Sequence, residues 1–181
     1  MISLDGNGHY DGNLVLRGYA HPLPAGLVSV GGNLYLTRYD HPLPTGLVSV
    51  GGYLDLRGYA HPLPAGFASV GGSLCLGGYA HPLPAGLVAQ APLVEDLDWK
   101  ILDAIERGGK LNMCTWHTCT TTHCRAGWAI CCAGEAGAEL ERKHGPEGAG
   151  ALLYERSTGR RPDFFASNEE ALADIRRCAG L

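Results

Sequence analysis

The sequence lacks any long apolar run: no stretch approaches the roughly 18 consecutive apolar residues that a membrane-spanning helix needs. It also lacks a basic excess, since 14 Lys and Arg stand against 18 Asp and Glu, for a net charge of −4. This balance argues against a broad nucleic-acid-binding surface. The first residues, MISLDGNGHYDG, carry no basic segment followed by an apolar one. We therefore predict no signal peptide and a soluble, cytoplasmic protein.

Cysteine is nearly absent from the first half of the chain. Six of the seven cysteines lie at or beyond Cys114. The odd number, the close spacing and the missing export signal argue against a secreted disulfide scaffold. Reduced thiols or a metal site in the second half fit this distribution better.

The first half is instead occupied by a repeat of 20 residues. The unit that begins at Asn13, NLVLRGYAHPLPAGLVSVGG, returns with few changes at Asn33, Tyr53 and Ser73. Four units without an insertion predict a solenoid in which each unit forms one coil. Residues 1–92 are therefore assigned to the solenoid, and residues 93–181 to a second, Cys- and His-containing helical domain.

Each unit predicts a short strand with two buried leucines. In Leu34-Tyr35-Leu36 the outer residues point to one side and the middle residue to the other. Stacked coils would align these strands in a parallel sheet, with the Pro-Leu-Pro segment as an extended return and Gly-Gly as a tight bend. The predicted fold class is therefore α/β, a short parallel β-solenoid followed by a small helical domain. The return segment should add to the core through Leu43, Leu47 and Val50.

The repeat pattern LxLxxYxHPLPxGLxSVGG resembles a short leucine-rich repeat, and its VGGxLxL portion is similar to the bacterial and receptor L-domain variety. The resemblance covers about residues 13–92. It departs from the family pattern at the stacked asparagine, near which Tyr-x-His-Pro stands here. The resemblance implies an extended sheet face that binds a macromolecular partner.

Differences between the units concentrate at the outward strand positions and beside them. Solenoids usually act through such extended surfaces, which favours a protein-binding face. The alternative is that exposed positions vary because nothing restrains them. The candidate binding residues are Asn33, Tyr35, Arg38, Tyr53, Asp55 and Arg57.

A histidine and a tyrosine recur in register in every unit. A stack of imidazoles could bind metal or sense pH. A metal, however, needs converging ligands, whereas a stack points them in parallel, so we expect a structural role for this ladder. Its histidines are His21, His41, His61 and His81.

The second half predicts several helices. Asp96 is expected to cap a helix over 97–107 whose apolar face covers the open end of the solenoid. Further helices are expected over 124–143, over 146–156, and from a capping box at Ser167 to Cys178. At the other end, the N-terminal solenoid edge has no evident cap, so a dimer could form there.

Five Cys and His residues lie within eleven positions of the second half, at Cys114, His117, Cys119, His123 and Cys124. Thiolate and imidazole are good zinc ligands, although the spacing differs from that of standard zinc fingers. Alternatively, Cys124 at a helix start could be a nucleophile with His117 or His123 as its base. The third interpretation is that these cysteines are small buried hydrophobic residues.

The segment from Trp116 to Cys178, which contains the sequence motif THCRAGWA, resembles an uncharacterised module of bacterial and phage hypothetical proteins. The resemblance implies no activity, but it is consistent with a phage or bacterial origin. The sequence as a whole predicts a non-enzymatic protein-binding module without a cofactor, which in a phage would engage or inhibit a host factor. The alternative is a small thiol- or zinc-dependent enzyme that the solenoid targets.

Overall fold

The first three repeat units each form two short strands in the computed structural model, which describes residues 2–115 and 121–180. The first strand of a unit carries the Leu-x pair and the second carries the Ser-Val pair. The fourth unit forms its Leu-x strand and then a helical turn in place of the second strand, and one further strand precedes the first unit. The strands are β1 His9–Tyr10, β2 Leu14–Val15, β3 Ser29–Val30, β4 Leu34–Tyr35, β5 Ser49–Val50, β6 Leu54–Asp55, β7 Ser69–Val70 and β8 Leu74–Cys75.

The strands form two parallel four-stranded sheets. The face sheet has the order β2-β4-β6-β8, and the back sheet has the order β1-β3-β5-β7. Neighbouring strands align at a shift of one unit, so that Leu34 pairs with Leu54. The parallel solenoid and the α/β class are confirmed. The sequence had indicated only the face sheet, because two residues of Ser-Val are too short to show a strand period.

The solenoid core is built as the repeat predicts. Leu34 and Leu36 are fully buried. The return segment contributes Leu43, Leu47 and Val50, which are also buried. The glycine pair is needed where adjacent coils approach closely, since a Cβ on Gly51 would lie 2.2 Å from the carbonyl oxygen of Gly31.

The recurring tyrosines of the second to fourth units are buried core residues that connect one coil to another. The rings of Tyr39 and Tyr59 stack with their centroids 6.4 Å apart. The buried Tyr59 hydroxyl accepts a hydrogen bond from the Leu43 N–H at 3.0 Å and donates one to the carbonyl of His41 at 3.2 Å. The histidines also bond to the preceding coil, as His61 does through Nε2 to the carbonyl of Asp40 at 3.0 Å. The ladder is therefore structural, as expected.

Helices dominate the chain from the end of the fourth unit onward. The elements are α1 Ala85–Val88, α2 Leu97–Glu106, β9 Lys110–Leu111, β10 Thr122–His123, α3 Arg125–Cys132, α4 Gly134–Thr158 and α5 Asn168–Cys178. Asp96 directly precedes α2, but its backbone is left-handed and its side chain makes no capping hydrogen bond. The prediction that Asp96 caps this helix is therefore wrong. The capping box at Ser167 is confirmed. No helix in the described ranges is long and apolar enough to cross a membrane.

The two middle helices break at glycines, of which Gly134 was not predicted and Gly145 lies at the boundary that the sequence predicted. The helix expected over 124–143 is divided between α3 and α4, with Gly134 at φ 61°. Helix α4 in turn runs across a kink at Gly145, whose φ of 72° and ψ of 167° are not helical. The kink separates the two segments that the sequence had treated as different helices.

Helix α4, and not α2, covers the last coil of the solenoid. Gly148 lies directly on Leu74, where a Cβ would come within 2.9 Å of the leucine Cβ. Helix α2 packs on α3 and α5 instead. The expectation that the apolar face of α2 closes the solenoid is therefore wrong, because that face is buried within the helical half.

Carboxylates of α4 replace hydrogen bonds that a following coil would make. Within the stack, three leucine N–H groups of each coil donate to the next coil, two to carbonyls and one to a tyrosine hydroxyl. In the last coil, the Leu76 N–H donates to Oε1 of Glu147 at 3.0 Å. The Leu83 N–H donates to Oε2 of Glu155 at 2.7 Å.

An arginine continues the tyrosine ladder beyond its last ring. The Arg161 guanidinium lies 5.6 Å from the centre of the Tyr79 ring, in the position of the next ring. It donates to the carbonyl of His81 at 3.0 Å, as a further tyrosine hydroxyl would. An ion pair with Glu155 at 2.9 Å holds it there.

The back sheet is completed in the same way. His144 is buried, and its Nδ1 donates to the carbonyl of Gly72 at 3.1 Å. Burial lowers the pKa of this imidazole, which favours the neutral form. Gln90 donates through Nε2 to the carbonyl of Ala68.

The N-terminal end of the solenoid is covered less completely. Strands β1 and β2 each have a strand neighbour on one side only. The Asp5 carboxylate accepts hydrogen bonds from the N–H groups of Asn7 and His9, both at 2.8 Å, and Ile2 and Leu4 pack against the core. Pairing of this edge with a second subunit stays a prediction.

Candidate functional site

A groove of about 700 Å³ lies on the outer surface of the face sheet. It crosses the first three coils, whose in-register outward positions are Val15, Tyr35 and Asp55. A second row of the groove lies two positions further along each coil and consists of Arg17, Thr37 and Arg57. Its lining residues are Asn13, Val15, Arg17, Tyr35, Thr37, Asp55 and Arg57. We call this the face groove.

Three of the six candidate binding residues line the face groove: Tyr35, Asp55 and Arg57. The ring of Tyr53 lies beside the groove, with its centroid 5.5 Å from that of Tyr35. Arg38 is exposed on the following turn, where its φ of 59° is left-handed. The lining residues that were not chosen as candidates belong to the same variable columns, and they are Asn13, Val15, Arg17 and Thr37.

Asparagine 33 has a structural contact that the sequence did not suggest. Its Oδ1 accepts a hydrogen bond from the Tyr53 N–H at 2.7 Å, and Asn13 Oδ1 accepts one from the Asn33 N–H at 2.8 Å. Its amide also donates to the Tyr35 hydroxyl at 3.2 Å. Asn33 therefore connects coils and orients the Tyr35 ring.

Asp55 faces outward from the sheet but is only 1% exposed, so the expectation that it meets solvent is wrong. Its oxygens accept from Nε of Arg57 at 2.9 Å and from NH2 at 2.7 Å. They also accept from the Arg57 N–H at 3.0 Å. Burial alone would raise the pKa of Asp55, but these hydrogen bonds outweigh burial and lower it. Asp55 is therefore a charged residue that holds Arg57 in place.

The remaining groove residues are more exposed. Val15 is 66% exposed, and the Arg57 side chain is 60% exposed although it is paired. Arg17 is exposed and forms no ion pair with any described residue. The groove thus combines an aliphatic side chain, an oriented aromatic ring and guanidinium groups, the residue types that protein interfaces favour.

Cys124 is the N-cap of α3, as the sequence suggested. Its Sγ accepts a hydrogen bond from the Gly127 N–H at 3.4 Å. The side chain is only 2% exposed, and burial raises the pKa of its thiol. A thiol of raised pKa is a weak nucleophile at neutral pH, which opposes the interpretation of Cys124 as a catalytic nucleophile and favours that of a small buried core residue.

The other candidates for zinc binding are only partly within the described chain. His123 is buried, with its ring 4.7 Å from that of Trp128 and its Nε2 3.6 Å from the sulfur of Cys131. Cys114 is exposed. His117 and Cys119 lie outside the described residues. Among residues 2–115 and 121–180, no three His, Cys, Asp or Glu side chains come together as a metal site would need.

A buried ionic network in the helical half was not predicted. Arg125 is 1% exposed and bonds to Asp98 at 2.7 Å, to Asp174 at 2.6 Å and to the Tyr154 hydroxyl at 2.8 Å. Arg160 also contacts both carboxylates. The network joins α2, α3, α4 and α5. A single arginine in the otherwise apolar RAGWAICC helix was the signal for it, since a buried charge requires partners.

No known protein family, curated protein or solved structure matches this chain. A function for it must therefore follow from its own residues. The face groove is the surface on which the differences between the otherwise repeated coils meet.

Proposed function

We propose that this protein is a non-enzymatic protein-binding module whose partner binds in the face groove. One observation carries the proposal: most of the outward side chains that differ among the first three coils line one continuous groove, whereas the return segments and the Ser-Val strands repeat almost unchanged. A repeated scaffold with one variable face is typical of solenoids that bind through an extended surface.

The residues of the groove fit this role. Asn33 orients Tyr35, and Asp55 holds the guanidinium of Arg57, so two side chains typical of binding hot spots are fixed before a partner arrives. Fixing side chains in advance reduces the entropy cost of association. Val15 offers an exposed apolar contact beside them.

The proposal extends to the relationship and setting of the protein. The 20-residue repeat and its parallel sheets support a leucine-rich-repeat type of solenoid, and the THCRAGWA phrase supports a bacterial or phage origin. In that setting the module would act in the cytoplasm, and its partner would be a host protein that it engages or inhibits.

Site-specific cross-linking tests the groove. A photoreactive amino acid at Val15 reports contacts in the groove, and the same residue at Val48, an exposed valine beside the back sheet, is the matched control. We expect one protein from a bacterial lysate to cross-link at position 15 and not at position 48. Tyr35→Ala should abolish that product while circular dichroism stays unchanged. Equal products from both positions, or a product that survives Tyr35→Ala, would contradict the proposal.

A further inference from the structure

The accessible charge of the face groove is positive although the chain as a whole carries −4. The groove is lined by two arginines and one carboxylate. That carboxylate, Asp55, is buried and accepts hydrogen bonds from Arg57 and from the Thr37 hydroxyl, so it offers no free charge to a ligand. Arg17 forms no ion pair with any described residue and is exposed. Arg38 adds a further exposed cation on the turn after Thr37.

The arginines are arranged along the stack of coils. Arg17 and Arg57 hold equivalent positions in the first and third units, so two strand spacings, about 9.6 Å, separate their backbones. Three residues of an extended polyproline-type chain advance about 9.3 Å and return to the same side of that chain. An extended chain with acidic side chains three residues apart therefore matches the spacing of both guanidinium groups.

The floor between the two arginines suits the middle of such a chain. Tyr35 and Thr37 occupy the second coil between them. The Tyr35 ring is held against Tyr53 and by the Asn33 amide, so it offers a fixed aromatic surface to an apolar side chain. Val15 continues this apolar surface at the open edge of the sheet.

We infer that the face groove binds an extended acidic segment of a partner protein, with two carboxylates about three residues apart on Arg17 and Arg57 and an apolar side chain over Tyr35. This inference rests on the proposed protein-binding function and specifies the chemistry of the partner. The buried pair of Asp55 and Arg57 sets the second anchor, and Arg17 is the unpaired first anchor.

Selection from a display library of random linear peptides, with the full-length protein as bait, tests the inference. We expect the enriched peptides to carry Asp or Glu three residues apart with an apolar residue between them. Binding of one such peptide is then measured by fluorescence anisotropy. Arg17→Glu should weaken it by about tenfold or more, because it reverses an unpaired charge in the contact. Arg142→Glu makes the same charge change on an exposed residue of α4 and should alter affinity less than about twofold.

The outcomes separate this inference from the proposed function. Enriched peptides without acidic residues, whose binding Tyr35→Ala abolishes, would overturn the acidic segment and keep the groove as a protein-binding surface. Acidic peptides that bind the Arg17→Glu and Tyr35→Ala variants as tightly as they bind the native protein would overturn both proposals. The absence of any enriched peptide would also overturn the inference.

Two other occupants are tested directly. Tight binding of a single-stranded DNA oligonucleotide that Arg17→Glu abolishes would show a nucleic-acid site and overturn the inference. Concentration-dependent self-association in sedimentation, lost in Arg17→Glu, would identify a second copy of this chain as the occupant and overturn it as well.

Discussion

Asp174 accepts hydrogen bonds from three arginines. These are Arg125, Arg160 at 3.0 Å and Arg177. Burial by itself would raise the pKa of the carboxyl, but the arginines outweigh it and lower the pKa to about 2. The charged form of Asp174 therefore stabilises the contacts between α3, α5 and the segment after α4.

The lowered pKa of Asp174 predicts how stability depends on pH. Because its folded pKa is below the ordinary value of 3.8, its contribution is complete above about pH 4 and is lost as the pH falls toward 2. We expect the free energy of unfolding of the native protein to exceed that of Asp174→Asn by about 1 kcal/mol or more at pH 6, allowing for partial exposure. The difference should shrink toward pH 2 in urea titrations. A difference that stays constant over this range would contradict the prediction.

Asp55 shows where residue patterns stop being informative. The alternation of the strand correctly predicted that it faces away from the core, but it is buried by its neighbours on that face. The period of a strand gives the direction of a side chain, whereas its exposure depends on what the adjacent coils place beside it. Arg57, two residues further on, was the signal that Asp55 has a partner.

In the tyrosine ladder, one tyrosine hydroxyl per coil accepts a hydrogen bond from a leucine N–H of the preceding coil. Tyr59 satisfies the buried N–H of Leu43, and Tyr39 and Tyr79 do the same for the coils on either side. Loss of one hydroxyl leaves a buried backbone donor without an acceptor, which is more costly than the loss of an ordinary hydrogen bond.

We therefore expect Tyr59→Phe to lower the free energy of unfolding by about 1–3 kcal/mol, measured in urea. Tyr19→Phe is the matched control, because Tyr19 belongs to the first unit and its hydroxyl bonds to no described residue. Its effect should stay within about 0.5 kcal/mol. Equal effects of the two substitutions would show that the ladder hydroxyls do not connect the coils.

The elements differ in how far the sequence predicts them. The repeated leucines are predictable because one strand pattern occurs four times at a fixed spacing. The strand at Ser49–Val50 has no such alternation, and its pairing depends on the neighbouring coils. In the helical half, the kink at Gly145 lies where the sequence predicted a helix boundary, because Gly145-Pro146 marks one, whereas nothing in the local pattern indicated the break at Gly134, where φ is also positive. The groove columns could be identified from the variation between units, but not which of their members are buried.

The helical half completes the solenoid as if it were a further coil. Glu147 takes the place of a strand carbonyl, Glu155 that of a tyrosine hydroxyl, and Arg161 that of a tyrosine ring. These three residues are far from the repeats in sequence, so no local pattern points to them. Because the last coil would otherwise expose unpaired N–H groups, the stability of the solenoid depends on the helices that cover it.

This dependence predicts that the two halves unfold together. Hydrogen exchange followed by mass spectrometry, at increasing urea concentration, separates peptides of the face sheet from peptides of α4. We expect both to lose protection at the same urea concentration. Glu155→Ala leaves the Leu83 N–H without an acceptor and removes the ion-pair partner of Arg161. It should lower both urea midpoints together, with a loss of about 2–4 kcal/mol in the free energy of unfolding.

The matched control is Glu139→Ala, which removes an exposed carboxylate from the first part of the same helix and should change the unfolding free energy by less than about 0.5 kcal/mol. If Glu155→Ala lowered the protection of the last coil alone, the solenoid would be a separate folding unit that the helices only cover. A common shift means that residues after position 93 are part of the structure that presents the face groove. A truncated solenoid would then not be a valid substitute for the whole chain in binding experiments.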